Sequence, residues 1–282
     1  MQNHESTPIT VALVYDFDGT LAPGNMQEYD FIPSVGKDNR EFWEQSNGMA
    51  CAQDADPILV YMWRMIHAAR SSSHPIRRES FVESGRRIRL YAGLEGWFGR
   101  INAYARKRGI RVEHYINSSG IKEMIEGTPI AREFRKIYAC SFLYDENGVA
   151  VWPAVSVNYT NKTQFIFKIN KGIDSVYDSQ RINKFTPEDQ RPVPFRRIIY
   201  FGDGTTDIPC MKLVKEKGGH SIAVYNPEAS EAAREGMENL VGDNRVDYVC
   251  TADYREDGEP DQVVKAILDK IHADHVLELL SK

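Results

Sequence analysis

The sequence predicts an α/β fold: a doubly wound (Rossmann-like) parallel sheet with an inserted all-α cap domain. Short apolar segments rich in β-branched residues alternate with amphipathic segments along most of the chain, as expected for strands joined by crossover helices. Three of the apolar segments end in clusters of polar residues. Because parallel strands present their carboxyl ends at one edge of a sheet, these clusters are predicted to meet there.

Five segments form the predicted sheet. The first strand is VALVY (residues 11–15), the second runs from 112 to 117, and the third is RIIYF (residues 197–201). These segments are apolar on both faces, which is typical of buried parallel strands. Two further strands are predicted over Ser221–Tyr225 and Tyr248–Thr251. The first three strands are the ones that end in polar clusters.

One helix and one hairpin complete the predicted core. The segment Leu94–Arg108 has helical spacing of its apolar residues and is followed by Gly109, a residue type that commonly ends helices. Between residues 138 and 157, apolar residues alternate around Asn147-Gly148, a pair that suits the tight turn of a β-hairpin. A β-hairpin is therefore expected there.

The region between the first strand and residue 93 does not alternate strands with helices. Three amphipathic helices are predicted there instead, at Glu41–Gln45, Pro57–Arg70 and Arg78–Tyr91. We therefore expect a helical cap domain over residues 24–92, inserted into a core domain formed by residues 1–23 and 93–282.

Length, charge and composition narrow the class of protein. The chain has 282 residues, of which 42% are hydrophobic, and a formal net charge of −5. That length accommodates an α/β core with a cap, and the acidic balance disfavours a non-specific nucleic-acid binder. No segment approaches the run of about 18 apolar residues that a membrane span needs, and the N-terminus lacks the features of a secretory signal. Four scattered cysteines form no metal-binding spacing, so a cytoplasmic protein with reduced thiols is expected.

Two acidic clusters are the leading candidates for chemistry. The first is DFDGT, in which Asp16 and Asp18 are two residues apart and so face the same way in an extended chain. The second is GDGTTD, which carries Asp203 and Asp207 beside glycines that allow a close approach of the backbone. Hard carboxylate oxygens from two strand ends, with no His or Cys nearby, suit Mg²⁺ better than zinc. Taken alone, each cluster is also compatible with a solvated turn.

A hydroxyl and an amine complete the candidate set. Ser118 follows the second predicted strand and can bind a phosphate oxygen, although a Ser-Ser-Gly turn is more often a plain loop. Lys162 opens a helical stretch that runs to Asn170 and can neutralise phosphate charge, with Lys171 as the rival for that role. By itself, a lysine in the first turn of a helix is usually a surface residue.

In this order, DFDGT, Ser118, Lys162 and GDGTTD resemble the four motifs of the haloacid dehalogenase-like hydrolase superfamily. The resemblance is greatest to its phosphatases, in the phosphoserine-phosphatase-like branch with a helical cap after the first motif. It covers the core from about Val11 to Asp253, whereas the cap matches only in position and helical character. Dehalogenases of the superfamily lack the second aspartate of the first motif, so Asp18 favours phosphoryl transfer.

The resemblance implies a Mg²⁺-dependent phosphatase that hydrolyses a small phosphate monoester through an aspartyl-phosphate intermediate. Asp16 would be the nucleophile, and Asp18 would act as the general acid and then as the general base. The implied Mg²⁺ ligands are Asp16, Asp18 through its backbone carbonyl, Asp203 and Asp207. The implied contacts to the substrate phosphate are Ser118, Lys162 and the amide of Gly19.

Several alternatives remain open. On the same scaffold, a phosphotransferase or phosphomutase would pass the phosphoryl group to a second hydroxyl, and a non-catalytic module would bind Mg²⁺ or phosphate without turnover. The expected partner is a small phosphorylated metabolite, with no nucleic acid and no membrane, and the oligomeric state is unknown.

The natural substrate is also open. In the phosphoserine-phosphatase-like branch a cap glutamate reads the amino group of phosphoserine, and Glu28, the nearest candidate, comes late in this sequence. The cap carries arginines that can bind a second anionic group on the substrate, although a solvated helix face is their commoner role. These arginines are Arg64, Arg77, Arg78, Arg86, Arg87 and Arg89.

Overall fold

In the computed structural model, which describes residues 8–72, 76–204 and 206–281, seven strands form one sheet. The strands are β1 (Ile9–Tyr15), β2 (Ile110–Ile121), β3 (Phe134–Tyr144), β4 (Ala150–Val155), β5 (Ile198–Gly202), β6 (His220–Tyr225) and β7 (Tyr248–Thr251). Their order across the sheet is β4-β3-β2-β1-β5-β6-β7, and every pairing is parallel except that of β4 with β3.

The described residues also form eleven α-helices. The helices are α1 (Phe31–Ser34), α2 (Asn39–Ala52), α3 (Pro57–Ser71), α4 (Arg78–Gly85), α5 (Leu94–Arg106), α6 (Lys122–Gly127), α7 (Lys162–Asn170), α8 (Ser179–Asn183), α9 (Ile208–Glu216), α10 (Glu231–Gly242) and α11 (Glu259–Leu280). Helix α5 ends two residues before the predicted Arg108, and α7 has the predicted bounds.

The doubly wound α/β fold is confirmed. Strand β1 lies in the middle of the sheet, and its residues from Val11 to Tyr15 are completely buried, as expected for a strand covered on both faces. The chain passes outward from β1 through β2 and β3, and then returns to β5 on the other side of β1. Strand order therefore reverses at β1, which places a crevice at the carboxyl ends of β1, β2 and β5.

Strand β2 is longer than predicted, because it continues past Asn117 to Ile121. Its pairing with β3 is irregular between these two residues, so the polar Ser118-Ser119-Gly120 segment is held as extended backbone at the sheet edge. The predicted hairpin is confirmed: β3 and β4 are antiparallel, and Asp145 Oδ1 accepts the N–H groups of Asn147 and Val149 in the turn.

Helices α1 to α4 follow β1, in the region predicted to form the cap. Helix α2 is longer than the predicted Glu41–Gln45, whereas α4 ends at Gly85 and not at Tyr91. The chain leaves the helix there through bonds that span three residues, and the N–H of Tyr91 then donates to the carbonyl of Leu21. This bond draws the returning chain back toward the end of β1, which a continuing helix would prevent.

The helical insertion packs against the hairpin side of the sheet. The rings of Phe81 in α4 and Phe142 in β3 stack with their centroids 5.3 Å apart. Helix α4 also meets α6 so closely that a Cβ atom on Gly85 would lie 1.9 Å from the carbonyl oxygen of Met124. The division into a core (1–23 and 93–282) and a cap (24–92) stays a prediction.

Among the helices in the described parts of the chain, none has both the length and the apolar character that crossing a membrane requires.

Candidate active site

Asp16 lies at the end of β1 and is held from both sides. Its backbone N–H donates to the carbonyl of Phe201 in β5 (2.9 Å), and its Oδ1 accepts the N–H of Phe17 (2.7 Å). The following turn is closed by the N–H groups of Leu21 and Ala22, which both donate to the carbonyl of Phe17. The carboxylate is therefore fixed at the crevice while remaining 5% exposed.

Asp18 lines the same cavity as Asp16, but its carboxyl group has different neighbours. Its Oδ1 accepts the N–H of Met26 (2.9 Å), and Gly120 passes close to its Oδ2, where a Cβ atom would lie 3.0 Å away. Burial, and then repulsion by the Asp16 carboxylate, raise the pKa of Asp18 well above its usual value. A raised pKa favours the protonated form of this carboxyl group, which can donate a hydrogen bond or a proton.

Asp203 and Asp207 follow β5, and each is accommodated by a glycine. A Cβ atom on Gly19, whose φ is +72°, would lie 1.8 Å from Asp203 Oδ2, and one on Gly202 would lie 2.4 Å from the Asp207 side chain. Asp207 is completely buried, and its Oδ1 accepts the hydroxyl of Tyr200 (2.6 Å). Thr205, in the same motif, lies outside the described residues.

Lys162 joins the two acidic clusters. Its Nζ lies 2.9 Å from Asp16 Oδ2 and 2.7 Å from Asp207 Oδ1, and the side chain has no exposed surface. Burial opposes its charge, but the carboxylates of Asp16 and Asp207 outweigh burial and raise the pKa of this lysine. The rival Lys171 lies elsewhere: its Nζ donates to the carbonyls of Ile182 and Lys184.

Ser118 is buried at the end of β2 and lines the cavity. Its Oγ accepts the N–H of Gly120 (3.1 Å), which leaves the hydroxyl proton available to a ligand. The neighbouring Asn117 ties β2 to the start of α7, because its Nδ2 donates to the carbonyl of Lys162 (3.1 Å). The structure thus brings together the predicted residues from all four motifs.

The cavity above these residues has a volume of about 540 Å³. Sequence reasoning missed most of its wall. The missed lining residues are Gly24, Asn25, Gln27, Trp43, Ile58, Tyr61, Tyr91, Ser119, Gly120, Gly204, Thr206, Val224, Tyr225, Asn226, Ala229, Ala233 and Met237. Strand β6 ends at Tyr225, and this position at a strand end was the one signal that could have indicated part of the wall.

The residues present fit a hard divalent cation. Carboxylate oxygens of Asp16, Asp203 and Asp207 lie within 4.8 Å of one another, and Asp207 Oδ2 has no hydrogen-bond partner among the described residues. Burial and neighbouring carboxylates raise the pKa values of both Asp203 and Asp207. A cation that accepts oxygen ligands would relieve this repulsion. The Asp18 carboxylate is not part of the cluster, and a contact through its backbone carbonyl stays a prediction.

Comparisons with known proteins identify the family. The profile of haloacid dehalogenase-like hydrolases matches residues 13–212. An uncharacterised protein of Borreliella burgdorferi is 29% identical, and the match covers 83% of this chain and 89% of that protein.

Similar folds occur in solved structures. A haloacid dehalogenase family hydrolase of Salmonella enterica serovar Typhi has a TM-score of 0.58 at 17% identity, covering 93% of this chain and 72% of that one. A probable phosphoserine phosphatase of Vibrio cholerae has a TM-score of 0.55 at 12% identity, covering 96% and 69%. A phosphoserine phosphatase with an analogue of its phospho-aspartyl intermediate has a TM-score of 0.50 at 15% identity, covering 86% and 93%. The chain therefore belongs to the haloacid dehalogenase-like hydrolase family and has the fold of its phosphoserine-phosphatase-like branch.

Proposed function

We propose that this protein is a Mg²⁺-dependent phosphatase that hydrolyses a small phosphate monoester through an aspartyl-phosphate on Asp16. The observation that carries the proposal is the pairing of Asp16 with Asp18 in one cavity, where burial and the Asp16 charge raise the pKa of Asp18. One carboxylate is thereby suited to attack phosphorus and the other to give up a proton.

In the first step, a carboxylate oxygen of Asp16 forms a bond to phosphorus as the bond from phosphorus to the ester oxygen breaks. The phenylalanine N–H on Oδ1 and the Lys162 ammonium near Oδ2 restrict the rotation of this carboxylate before the attack. The proton of Asp18 passes to the departing ester oxygen, so that a neutral alcohol leaves. The Met26 N–H holds Asp18 in place for this transfer.

In the second step, Asp18 accepts a proton from water as that water attacks the phosphorus of the aspartyl-phosphate. The bond between phosphorus and Asp16 breaks, inorganic phosphate leaves, and Asp18 is protonated again for the next turnover. One residue thus serves as acid and then as base, which its position beside Asp16 permits.

An anionic nucleophile must approach an anionic phosphate in this reaction. Mg²⁺, when held by Asp16, Asp203 and Asp207, would offset that repulsion and stabilise the charge of the transition state. The Ser118 hydroxyl, the Gly19 amide and the Lys162 ammonium are the groups of this chain proposed to hold the phosphate oxygens.

The partner that we propose is a small phosphorylated metabolite, and the compartment is the cytoplasm. In support of a reducing compartment, Cys51, Cys140, Cys210 and Cys250 all carry free thiols.

The proposal is tested by phosphate release from a generic aryl phosphate, with Mg²⁺ and with a chelator, in wild type and Asp16→Asn. We expect Mg²⁺-dependent release without any added acceptor, and its loss in the variant. Release that needs a second alcohol would instead indicate a phosphotransferase. A folded wild-type protein that releases no phosphate from any ester would leave the phosphomutase and the binding-module alternatives.

A further inference from the structure

The part of the cavity that lies beyond the aspartates is uncharged. Among the described residues that line the cavity, the only charged side chains are those of Asp16, Asp18 and Asp203, which belong to the reaction centre. The remaining wall combines aromatic and aliphatic side chains with amides and hydroxyls. A charged group on the alcohol part of a substrate would therefore lose water there without gaining an ionic partner, which is unfavourable.

Three arginines of the helical insertion have partners that do not line this wall. Arg64 donates to Gln45, Arg87 pairs with Asp30 at 2.6 Å, and Arg78 pairs with Glu126. None of the cap arginines that were candidates for a second anion lines the cavity, as far as the described residues show. The structure therefore favours the other role expected for these arginines, which is to form a solvated helix face.

Glu28, the nearest candidate for reading an amino group, is also engaged. Its Oε1 accepts the indole N–H of Trp43 (2.7 Å) and the amide of Asn25 (2.6 Å), and it does not line the cavity. Outside the reaction centre, neither the amino group nor the carboxylate of phosphoserine therefore finds a charged partner among the described lining residues.

Gln27 supplies a neutral acceptor instead. This residue is 2% exposed, it lines the cavity from the short 3-10 helix Met26–Glu28, and its Oε1 has no hydrogen-bond partner among the described residues. Tyr61, which also lines the cavity, donates its hydroxyl to the carbonyl of Ser119 (2.6 Å). The Gln27 carbonyl oxygen, unpaired among the described residues, can accept a hydrogen bond from a ligand that donates one.

The surroundings of Gln27 are typical of a site for an uncharged polar molecule. Ser119 also lines the cavity, and its buried Oγ has no hydrogen-bond partner among the described residues. The rings of Trp43 and Tyr61 meet edge to face at 5.6 Å, and Tyr91 adds a third ring to the wall. Aromatic rings beside neutral hydrogen-bonding groups suit the apolar faces and hydroxyls of a sugar or polyol.

We propose that the alcohol part of the substrate is an uncharged sugar or polyol, one hydroxyl of which donates a hydrogen bond to Gln27 Oε1. This inference rests on the proposed phosphatase function and adds the class of substrate to it. Gln27 is then a specificity-determining residue, because a hydroxyl lost from the substrate would leave its buried carbonyl without a partner.

The test compares kcat/KM for three kinds of ester: neutral sugar phosphates (glucose 6-phosphate and ribose 5-phosphate), charged esters (phosphoserine and 3-phosphoglycerate), and p-nitrophenyl phosphate. We expect wild type to prefer a neutral sugar phosphate over both charged esters. The variant Gln27→Leu should lower kcat/KM for that sugar phosphate about 10- to 100-fold and lower kcat/KM for p-nitrophenyl phosphate much less. Gln45→Leu, on the exposed face of α2, is the matched control and should behave as wild type.

Two results would overturn the inference: a preference of wild type for a charged ester, or an equal loss on sugar and aryl phosphates in Gln27→Leu. Gln27→Met, which keeps the unbranched chain, replaces that variant if thermal unfolding shows that Gln27→Leu does not fold. Failure of the proposed function is distinguishable, since wild type would then release no phosphate even from p-nitrophenyl phosphate. Calorimetric titration of the same esters would in that case decide: binding of a sugar phosphate that is weakened in Gln27→Leu supports the inference, and its absence overturns it.

Discussion

The ammonium of Lys162 lies 2.9 Å from Oδ2 of Asp16, and neither side chain is more than 7% exposed. One comes from the first residue of α7 and the other from the end of β1, so this contact joins two distant parts of the chain. A second contact, between Lys162 and Asp207 at 2.7 Å, brings in the end of β5. The acidic centre is therefore held together by a buried cation that belongs to the protein itself.

Replacing Lys162 with Met should both destabilise the protein and impair its activity. The carboxylates of Asp16 and Asp207 would lose a buried countercharge, which typically costs about 3 kcal/mol in the free energy of unfolding. Phosphate release should fall by about 100-fold or more. Urea unfolding and the aryl phosphate assay measure the two effects. Lys171→Met is the matched control, and an equal loss in both variants would contradict a special role for Lys162.

Removal of Mg²⁺ should lower thermal stability, and Asp203→Asn should abolish that dependence. Burial, and then repulsion by Asp207 and Asp16, raise the pKa of Asp203, so a neutral side chain there should not destabilise the metal-free protein. A cation at 100 times its Kd should add about 2.7 kcal/mol to the free energy of unfolding of wild type. Thermal unfolding with Mg²⁺ and with chelator measures this. A variant that keeps the full Mg²⁺ effect would count against the site, and the loop variant Asp189→Asn should keep it.

Asp18→Asn should separate the two halves of the reaction. An alkyl phosphate needs a proton on its leaving group, so its hydrolysis should fall by about 1000-fold. An aryl phosphate has a better leaving group, so its alcohol should still appear in a burst while release of phosphate is slow. Rapid mixing that follows both products tests this, with Asp16→Asn as the control that shows no burst. An equal loss on both kinds of ester, without a burst, would speak against the acid and base roles of Asp18.

His114 should make the fold sensitive to acid. Its ring is buried between the Tyr15 hydroxyl (3.1 Å from Nδ1) and Asn102 Oδ1 (3.0 Å from Nε2), and burial lowers its pKa from 6.5 to about 3. Between pH 6.5 and about pH 3, His114 is therefore protonated in the unfolded chain and neutral in the folded protein. The free energy of unfolding falls as the pH drops through this range. Between pH 7 and pH 5 this residue should cost about 2 kcal/mol in the free energy of unfolding.

Urea unfolding at both pH values tests this prediction. The decline in the free energy of unfolding from pH 7 to pH 5 should be about 2 kcal/mol smaller in His114→Gln than in wild type. His272→Gln, on α11, should leave the decline as it is in wild type. An unchanged decline in His114→Gln would mean that the ring is protonated inside the folded protein.

The contact between α4 and α6 should not tolerate a methyl group. A Cβ atom on Gly85 would lie 1.9 Å from the carbonyl oxygen of Met124, so Gly85→Ala should lower the free energy of unfolding by about 2 kcal/mol. A Cβ atom on Gly48, in α2, would have no neighbouring atom within 4 Å, and Gly48→Ala should raise stability by about 0.5 kcal/mol. Urea unfolding of the two variants tests this prediction. An equal loss in the free energy of unfolding in both variants would exclude the steric explanation.

The two acidic motifs, DFDGT and GDGTTD, could be predicted from the sequence because each is short and accompanies the end of a strand. Asp16 and Asp18 come directly after β1, and Asp203 comes directly after β5. In a doubly wound sheet such strand ends share one edge, so adjacency in space follows from adjacency to a strand. The lysine was harder, because helical spacing does not show which face of α7 packs inward, and Lys171 remained a rival until the fold placed the two residues.

The bounds of helices and strands were also predictable where local sequence sets them. Strand β7 and helix α7 were predicted to the residue, since each has a clear apolar pattern and a clear end. The predicted end of α4 at Tyr91 was wrong. The helix ends at Gly85, and the N–H of Tyr91 instead donates a tertiary hydrogen bond to the carbonyl of Leu21. Helical periodicity carries no information about such a partner.

The sequence by itself determined the fold class and the four aspartates of the candidate site, because strands, turns and strand ends are encoded over a few neighbouring residues. Only the tertiary structure decided which lysine enters the cluster, where the cap arginines pair, and that Gln27 lines the cavity with a carbonyl oxygen that has no partner among the described residues. These are properties of side chains that meet from separate elements. Their positions depend on how helices pack against a sheet, which no local pattern of residues contains.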